Sequence, residues 1–400
     1  MRTMKIKFIF VLFIVFMIFS CKARKKTNSG GQDNSVVENI ETSEVYIYLG
    51  GKEETTGNIK LDDVKAKLFK RYAGMEDIYK TLGNWNVVDT NYFDEKLIKR
   101  IIYGNGKFLV ACERYVPLVY SDDGETWHEV QNDLLKGGID AMAYGRSRFV
   151  AVIKYGAQIA CSNDGITWRA AKTGGFDHSS IDNISYGNGC FVAVGYNRDQ
   201  ENGIIWYSDD GDTWTIAENG SLNIKIFNCI VYGNGMFIAG GSEGKAAYSI
   251  DGKTWAVMPG SPFEDVDVRN IVFGNGRFVA YCNYFHGYDP KTFYSDNGMD
   301  WTLVSRPPLY PRIAYGNGIF ISVCDRLGEI SFSIDGYTWY PGPSELVRFI
   351  GALRYMEGIA YGNGRFVAGS QAYIAWCDMP DIFNDTEDDE GNEVNNFSGE

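Results

Sequence analysis

Residues Tyr103–Val110 read "YGNGKFLV", and the phrase returns as "YGNGCFVAV" at Tyr186, "YGNGMFIAG" at Tyr232, "YGNGIFISV" at Tyr315 and "YGNGRFVAG" at Tyr361. Altered copies, "YGRSRFVAV" and "FGNGRFVAY", begin at Tyr144 and Phe273. The seven anchor aromatics stand 41 to 46 residues apart. A fixed internal period of this size suits a four-stranded propeller blade. In "IKRIIYGNGKFLVACE" two β-rich runs flank Asn-Gly, the dipeptide that a two-residue hairpin needs because both central positions take positive φ. The phrase therefore reads as strand A, a tight turn and strand B.

A second phrase alternates with the first. It runs "SDDGETW" (Ser121–Trp127), "SNDGITW" (Ser162–Trp168), "SDDGDTW" (Ser208–Trp214), "SIDGKTW" (Ser249–Trp255), "SDNGMDW" (Ser295–Trp301) and "SIDGYTW" (Ser333–Trp339). Each copy reads as the hairpin between strands C and D. Asp123, Asp164, Asp210, Asp251, Asn297 and Asp335 are expected to accept hydrogen bonds from turn amides, with glycine supplying a conformation that a β-carbon forbids. Both phrases are structural turns rather than active sites.

The seventh copy has strands A to C but no Trp hairpin after them. Upstream, "GNWNVV" holds Trp85, eighteen residues before Tyr103, the usual spacing from a Trp to the next anchor. The strand near Trp85 is expected to complete the last blade, and such a closure removes open sheet edges. The expected fold is all-β: a seven-bladed β-propeller of four-stranded blades with N-terminal strand closure, plus a short N-terminal strand/helix extension.

The start combines Arg2, Lys5 and Lys7 with an apolar run from Phe8 to Phe19. Twelve residues make about 18 Å of helix, short of the roughly 30 Å hydrocarbon core, so the segment reads as a secretory signal. The following "IFSC" resembles the bacterial lipoprotein cleavage box, which implies lipidation of Cys21 and a membrane anchor in the cell envelope. The expected organisation is a signal peptide over 1–20, a flexible polar tether over 21–44, a strand/helix extension over 45–80 and the propeller over 81–380. An acidic disordered tail is expected over 381–400. In the extension "VYIYL" reads as a strand, and Leu61, Val64, Leu68 and Tyr72 share one face of a helix.

The second phrase resembles the Asp-box (BNR-like) repeat of sialidases, sortilin-type receptors and photosystem assembly propellers. Here one residue is missing between Asp and Gly, and Asn297 and Asp300 replace the usual Asp and Thr in the fifth copy. The resemblance covers about Trp85 to Asp378 and implies a propeller whose boxes lie away from the ligand face. Fold alone does not give function.

A net charge of −13 with no basic stripe argues against a nucleic-acid partner. The eight cysteines form no CxxC or Cys/His cluster and the three histidines are scattered, so neither a metal nor a cofactor is expected. Cysteines other than Cys21 read mostly as small buried fillers.

Function then rests on loops that differ among blades. The B–C connections offer Glu113, Arg114, Lys154, Tyr155, Tyr196, Arg198, Tyr284, His286, Asp325 and Arg326. The entrances of strand A bring Arg100, Asp140, Asp182, Arg269, Arg312 and Glu357 toward the channel mouth. This mixture suits a protein or carbohydrate ligand, and the expected role is a membrane-anchored binding or scaffolding lipoprotein. The alternative is a sialidase-like glycoside hydrolase. Sialidases hold a substrate carboxylate with three arginines, and Arg100, Arg269 and Arg312 offer that number. However, "RII" at Arg100 lacks the Arg-Ile-Pro signature of that family, and no Tyr/Glu pair stands out.

Overall fold

The computed structural model describes residues 77–379 apart from 90–97, 113–116, 154–157, 173–175, 177, 219–221, 261, 264–265, 284–289, 306–307, 309–311, 324–329, 344–357 and 371–372, together with 48–49, 52–53 and 75. The chain divides into two compact units, Met1–Glu76 and Asp77–Glu400. In the first, Tyr48–Leu49 pairs antiparallel with Lys52–Glu53. Cys21 and the helix expected through Leu61–Tyr72 lie outside the described residues, as do the tether and the acidic tail. Among the described residues no helix is long and apolar enough to cross a membrane.

The second unit is a seven-bladed β-propeller. Each blade is a four-stranded antiparallel sheet whose strands A to D lie in spatial order. The A strands are Ile98–Gly104, Ile139–Gly145, Ser179–Gly187, Phe227–Gly233, Asp267–Gly274, Arg312–Gly316 and Gly358–Gly362. They pack side by side around the axis, and the last touches the first. The ring closes as the spacing of Trp85 predicts. Asn86–Asp89 pairs with Tyr373–Asp378 and becomes the outer strand of the seventh blade.

Strand B carries the core. In Lys107–Cys112 every residue after Lys107 is buried, so "FLVAC" reads as a continuous apolar run, as expected for a strand covered on both faces. The phenylalanine that opens each run is fully buried in all seven blades: Phe108, Phe149, Phe191, Phe237, Phe278, Phe320 and Phe366. Burying each ring is worth roughly 1.5–3 kcal/mol. The apolar clusters straddle neighbouring blades; one joins Phe108 and Trp127 to Val367 and Ile374 across the closure. Ahead of the closing strand, the helical residues Ile78 and Leu82 bury themselves in a cluster with Phe332 and Phe366.

The two repeated phrases lock neighbouring blades together. In "YGNG" the turn residues have positive φ, as at Asn105 (47°) and Gly106 (73°). The turn asparagine reaches the next blade's box: Asn105, Asn188, Asn234 and Asn275 donate to the carbonyls of Asn163, Ile250, Asp296 and Ile334. In the altered second copy, Arg146 does the same to Asp209. Within a box, Ser162 Oγ donates to Asp164 (2.8 Å), and Asp164 Oδ1 accepts from the amides of Ile166 (2.8 Å) and Thr167 (2.7 Å). The Gly165 amide donates to Ser162 Oγ, and the Trp168 indole donates to Gly165 O. The same pattern of serine and turn-amide bonds holds at Asp123, Asp210, Asp251, Asn297 and Asp335.

The six described cysteines, Cys112, Cys161, Cys190, Cys229, Cys282 and Cys377, are all buried thiols outside any disulfide. Burial pushes the thiols of Cys229 and Cys377 up to about 12, which suits packing rather than reactivity.

Candidate functional site

The tight A–B turns and the box hairpins share one end of the ring, as the asparagine latches show. A cavity of about 640 Å³ opens toward the other end, where the inner strands begin. Its wall is built in tiers that can be counted back from each anchor aromatic. Lys99, Asp140, Asp182, Asn228 and Arg269 stand four residues before Tyr103, Tyr144, Tyr186, Tyr232 and Phe273. Arg100, Asn183, Asn270, Arg312 and Gly358 stand three before theirs, and Ile101, Met142, Ile313 and Ile359 two before, forming an apolar tier.

The first tier has a backbone cause. In each of the first five blades the A–B register slips by one residue, and the extra residue is Lys99, Asp140, Asp182, Asn228 or Arg269. A β-bulge leaves its extra residue outside the ladder and re-aims it, a device common beside binding sites. Five successive blades thus turn one polar side chain each toward the mouth. In the sixth and seventh blades the equivalent positions, 311 and 357, lie outside the described residues.

The tier is braced. Arg269 donates from Nε to Asn283 Oδ1 (3.0 Å), from Nη2 to Asp267 Oδ2 (2.8 Å) and from Nη1 to Asn228 Oδ1 (3.5 Å). Asn228 in turn donates to Val268 O (3.1 Å), tying the fourth blade to the fifth. Asp182 is the perturbed acid of the site. Burial pushes its carboxyl up, the neighbouring charge of Asp140 adds to this, and Arg100 opposes both, leaving it at about 6.

Among the described residues the lining holds four basic side chains, two carboxylates and four asparagines, a net positive set in a chain of net charge −13. Its charges are also sorted by blade. Cations come from the fifth, sixth and first blades, and both carboxylates from the second and third.

Of the residues expected from sequence, Arg100, Asp140, Asp182, Arg269 and Arg312 are brought together in this wall. Tyr196 is half-buried near the end of Cys190–Asn197, and Arg198 is exposed in the following turn, its amide bonded to His178 O. Neither lines the cavity. Glu113, Arg114, Lys154, Tyr155, Tyr284, His286, Asp325, Arg326 and Glu357 lie outside the described residues. Sequence reading missed Lys99, Asn183, Asn228, Asn270 and Asn283. For the first four the available signal was their fixed offset from the anchor aromatics.

A family model described as the DUF6242 beta propeller domain matches residues 61–261, half of the chain. The chain belongs to this family. No curated protein matches it. Among solved structures, this DUF6242 propeller is similar to YCF48 from Cyanidioschyzon merolae, with TM-score 0.56 and 15% identity over 74% of this chain and 98% of that one. It is also similar to virginiamycin B lyase from Staphylococcus aureus, with TM-score 0.58 and 10% identity over 74% of this chain and 100% of that one. A third similar structure is the GH74 xyloglucanase from Xanthomonas campestris, with TM-score 0.52 and 14% identity over 74% of this chain and 54% of that one. At such identities the likeness shows the propeller fold alone.

Proposed function

We propose that this DUF6242 propeller is an extracytoplasmic binding module, lipid-anchored through Cys21, that holds a protein or glycan ligand at the loop face around the channel mouth. The observation that carries the reading is the apolar-floored cavity, net positive over its described residues, in an otherwise acidic chain. Its volume falls in the range of roughly 300–1,000 Å³ typical of ligand sites, and convergent polar groups over an apolar floor are what such sites share. The opposite face is consumed by turns that latch blades together and has little freedom to vary. Asp-box descent of the hairpins is part of the same reading. YCF48, a structure of the same general shape, was solved bound to a D1 peptide, which gives a precedent for peptide binding by this fold.

Proximity crosslinking of the full chain in its native cell, repeated with Arg312→Ala and Asn270→Ala, tests this role. A partner captured by wild type should be lost from both variants. It should be retained by Ile250→Ser, a change on the turn face at a side chain 67% exposed. Loss with Ile250→Ser and retention with the mouth variants would put the ligand on the wrong face for this proposal.

A further inference from the structure

The sorting of charge around the mouth narrows the ligand class. The inner strands follow one another round the axis in chain order, so blade number is also position on the wall. Arg269, which is ion-paired with Asp267, and Arg312 come from the adjacent fifth and sixth blades, and Arg100 from the first; between the sixth and the first, the described lining residues of the seventh are Gly358 and Ile359. Asp140 and Asp182 come from the adjacent second and third blades. Asn228 of the fourth separates the carboxylates from Arg269, and its amide oxygen is already engaged by that guanidinium. A ring built only to attract anions has no use for two partly buried carboxylates, because their desolvation works against the fold. A ring built only for hydroxyl groups has no use for a cationic arc.

We propose that the group admitted to the mouth is a zwitterion, a short peptide or amino acid whose carboxylate faces the Arg269–Arg312–Arg100 arc and whose ammonium faces Asp140 and Asp182. This rests on the binding role above and names the chemistry of its ligand. Arginine is suited to the first task because its planar donor fork matches a carboxylate. An ammonium has three donors and pairs well with two convergent carboxylates. The apolar tier of Ile101, Met142, Ile313 and Ile359 would carry the uncharged body of the ligand.

The proposal has a pH signature of definite sign. Asp182 faces Asp140 from the second blade and Arg100 from the first. On its other side, the fourth blade's inner strand offers Asn228 and the buried Cys229 thiol but no charge. Its own partner strand offers Tyr196, opposite Ser180. Asp182 therefore loses its charge as pH falls through about 6, while a peptide ammonium stays protonated. Zwitterion binding must weaken on acidification. Binding of a simple anion must hold or strengthen, because a competing negative charge disappears.

The test uses the full chain in detergent and oligoalanines of two to four residues, measured by titration calorimetry near pH 7, where the peptide ammonium is still mostly protonated, and near pH 5. At least one peptide with free ends should bind. N-acetylation or C-amidation should each weaken it about tenfold or more, the usual effect of losing a charged hydrogen-bonded contact. Asp182→Asn should weaken the free peptide and leave the acetylated one unchanged, and Arg100→Gln should weaken both. Acetylated peptide binding as tightly as free peptide, or tighter binding near pH 5, would overturn the zwitterion in favour of a plain anion site. No binding by any peptide would overturn it outright. The crosslinking experiment is read separately, so a native partner still lost with Arg312→Ala would then leave the binding role standing while the zwitterion fell.

Discussion

The ring of Tyr103 occupies the space where Gly362 would carry a side chain: a Cβ added there would lie 2.1 Å from Tyr103 Cγ. The same relationship runs round the propeller from Gly104 and Tyr144 to Gly316 and Tyr361, so the first glycine of each phrase receives the next blade's anchor aromatic. Gly362→Ala should therefore destabilise the closure by about 3 kcal/mol or more, the upper range for overpacking a close contact. Gly364, two residues on, has φ of 76° and open space around it, so alanine there meets only backbone strain of roughly 1–2 kcal/mol. Urea unfolding of the two variants should rank them in that order. Equal losses would mean that the aromatic does not depend on the vacancy.

Closure by the N-terminal strand makes a harsher prediction. Deleting residues 81–90 removes Leu82 from its core cluster and the whole of Asn86–Asp89 from the seventh blade. The exposed edge of Tyr373–Asp378 then invites pairing with other chains. Calorimetry should show loss of the cooperative melt, with aggregation by light scattering. An unchanged melt would mean that the strand is dispensable.

The blade count and its closure were legible because hairpin chemistry is local: Asn-Gly forces its turn wherever it stands, and Trp85 kept its spacing. Arg100, Asp140, Asp182, Arg269 and Arg312 were legible as mouth residues for the same reason, lying a few positions before an anchor. The bulges were not. A register slip at Asp182 belongs to the pairing of two strands, and no residue type marks it. Nor could Gly104 be seen as the seat of Tyr144, because the contact joins residues a full blade apart. The asparagines of the wall look like ordinary solvated polar residues until the ring brings them to one cavity.

The boxes make an acid-stability prediction. Partial burial pushes Asp123 and Asp164 up, but turn amides and serine hydroxyls outweigh it and hold both carboxyls lowered to about 2; Asp210 and Asp251 move the same way. An acid lowered in the folded state adds stability above its unfolded value near 4, and that stability is lost as pH falls through about 2. Asp164→Ala should cost about 1 kcal/mol at neutral pH. Asp164→Asn should cost less, because Asn297 makes the same amide bonds in the fifth blade, and should flatten the acid dependence. Melting temperatures from neutral to acid pH decide it; an asparagine variant as acid-sensitive as wild type would count against the assignment.

The proposed anchoring rests on Cys21. Radiolabelled fatty acid should enter the wild-type chain and not Cys21→Ser, and the variant should leave the membrane fraction, since acyl chains contribute about 0.8 kcal/mol per buried methylene. Labelling that survives the substitution would remove the anchor.

Asp182 should show what the proposed binding wall costs the fold. Its carboxyl stands at about 6, raised first by burial and then by Asp140, so the folded state holds a proton that the unfolded chain has already released. The sign follows from linkage: between roughly pH 4 and 6 the native state binds more protons, and stability falls as pH rises through that window. Above it the ionised, partly buried carboxylate weakens the empty protein by an amount on the order of 2 kcal/mol. Asp182→Asn keeps the shape and removes the charge, so it should raise stability by about that much near pH 8 and by almost nothing near pH 4. The same substitution should abolish the acid sensitivity of peptide binding, because the titrating group has gone. A gain in stability joined to a loss of ligand is the pattern of a residue held for function. A loss of stability at both pH values would instead make Asp182 part of the scaffold, with Arg100 as its structural partner.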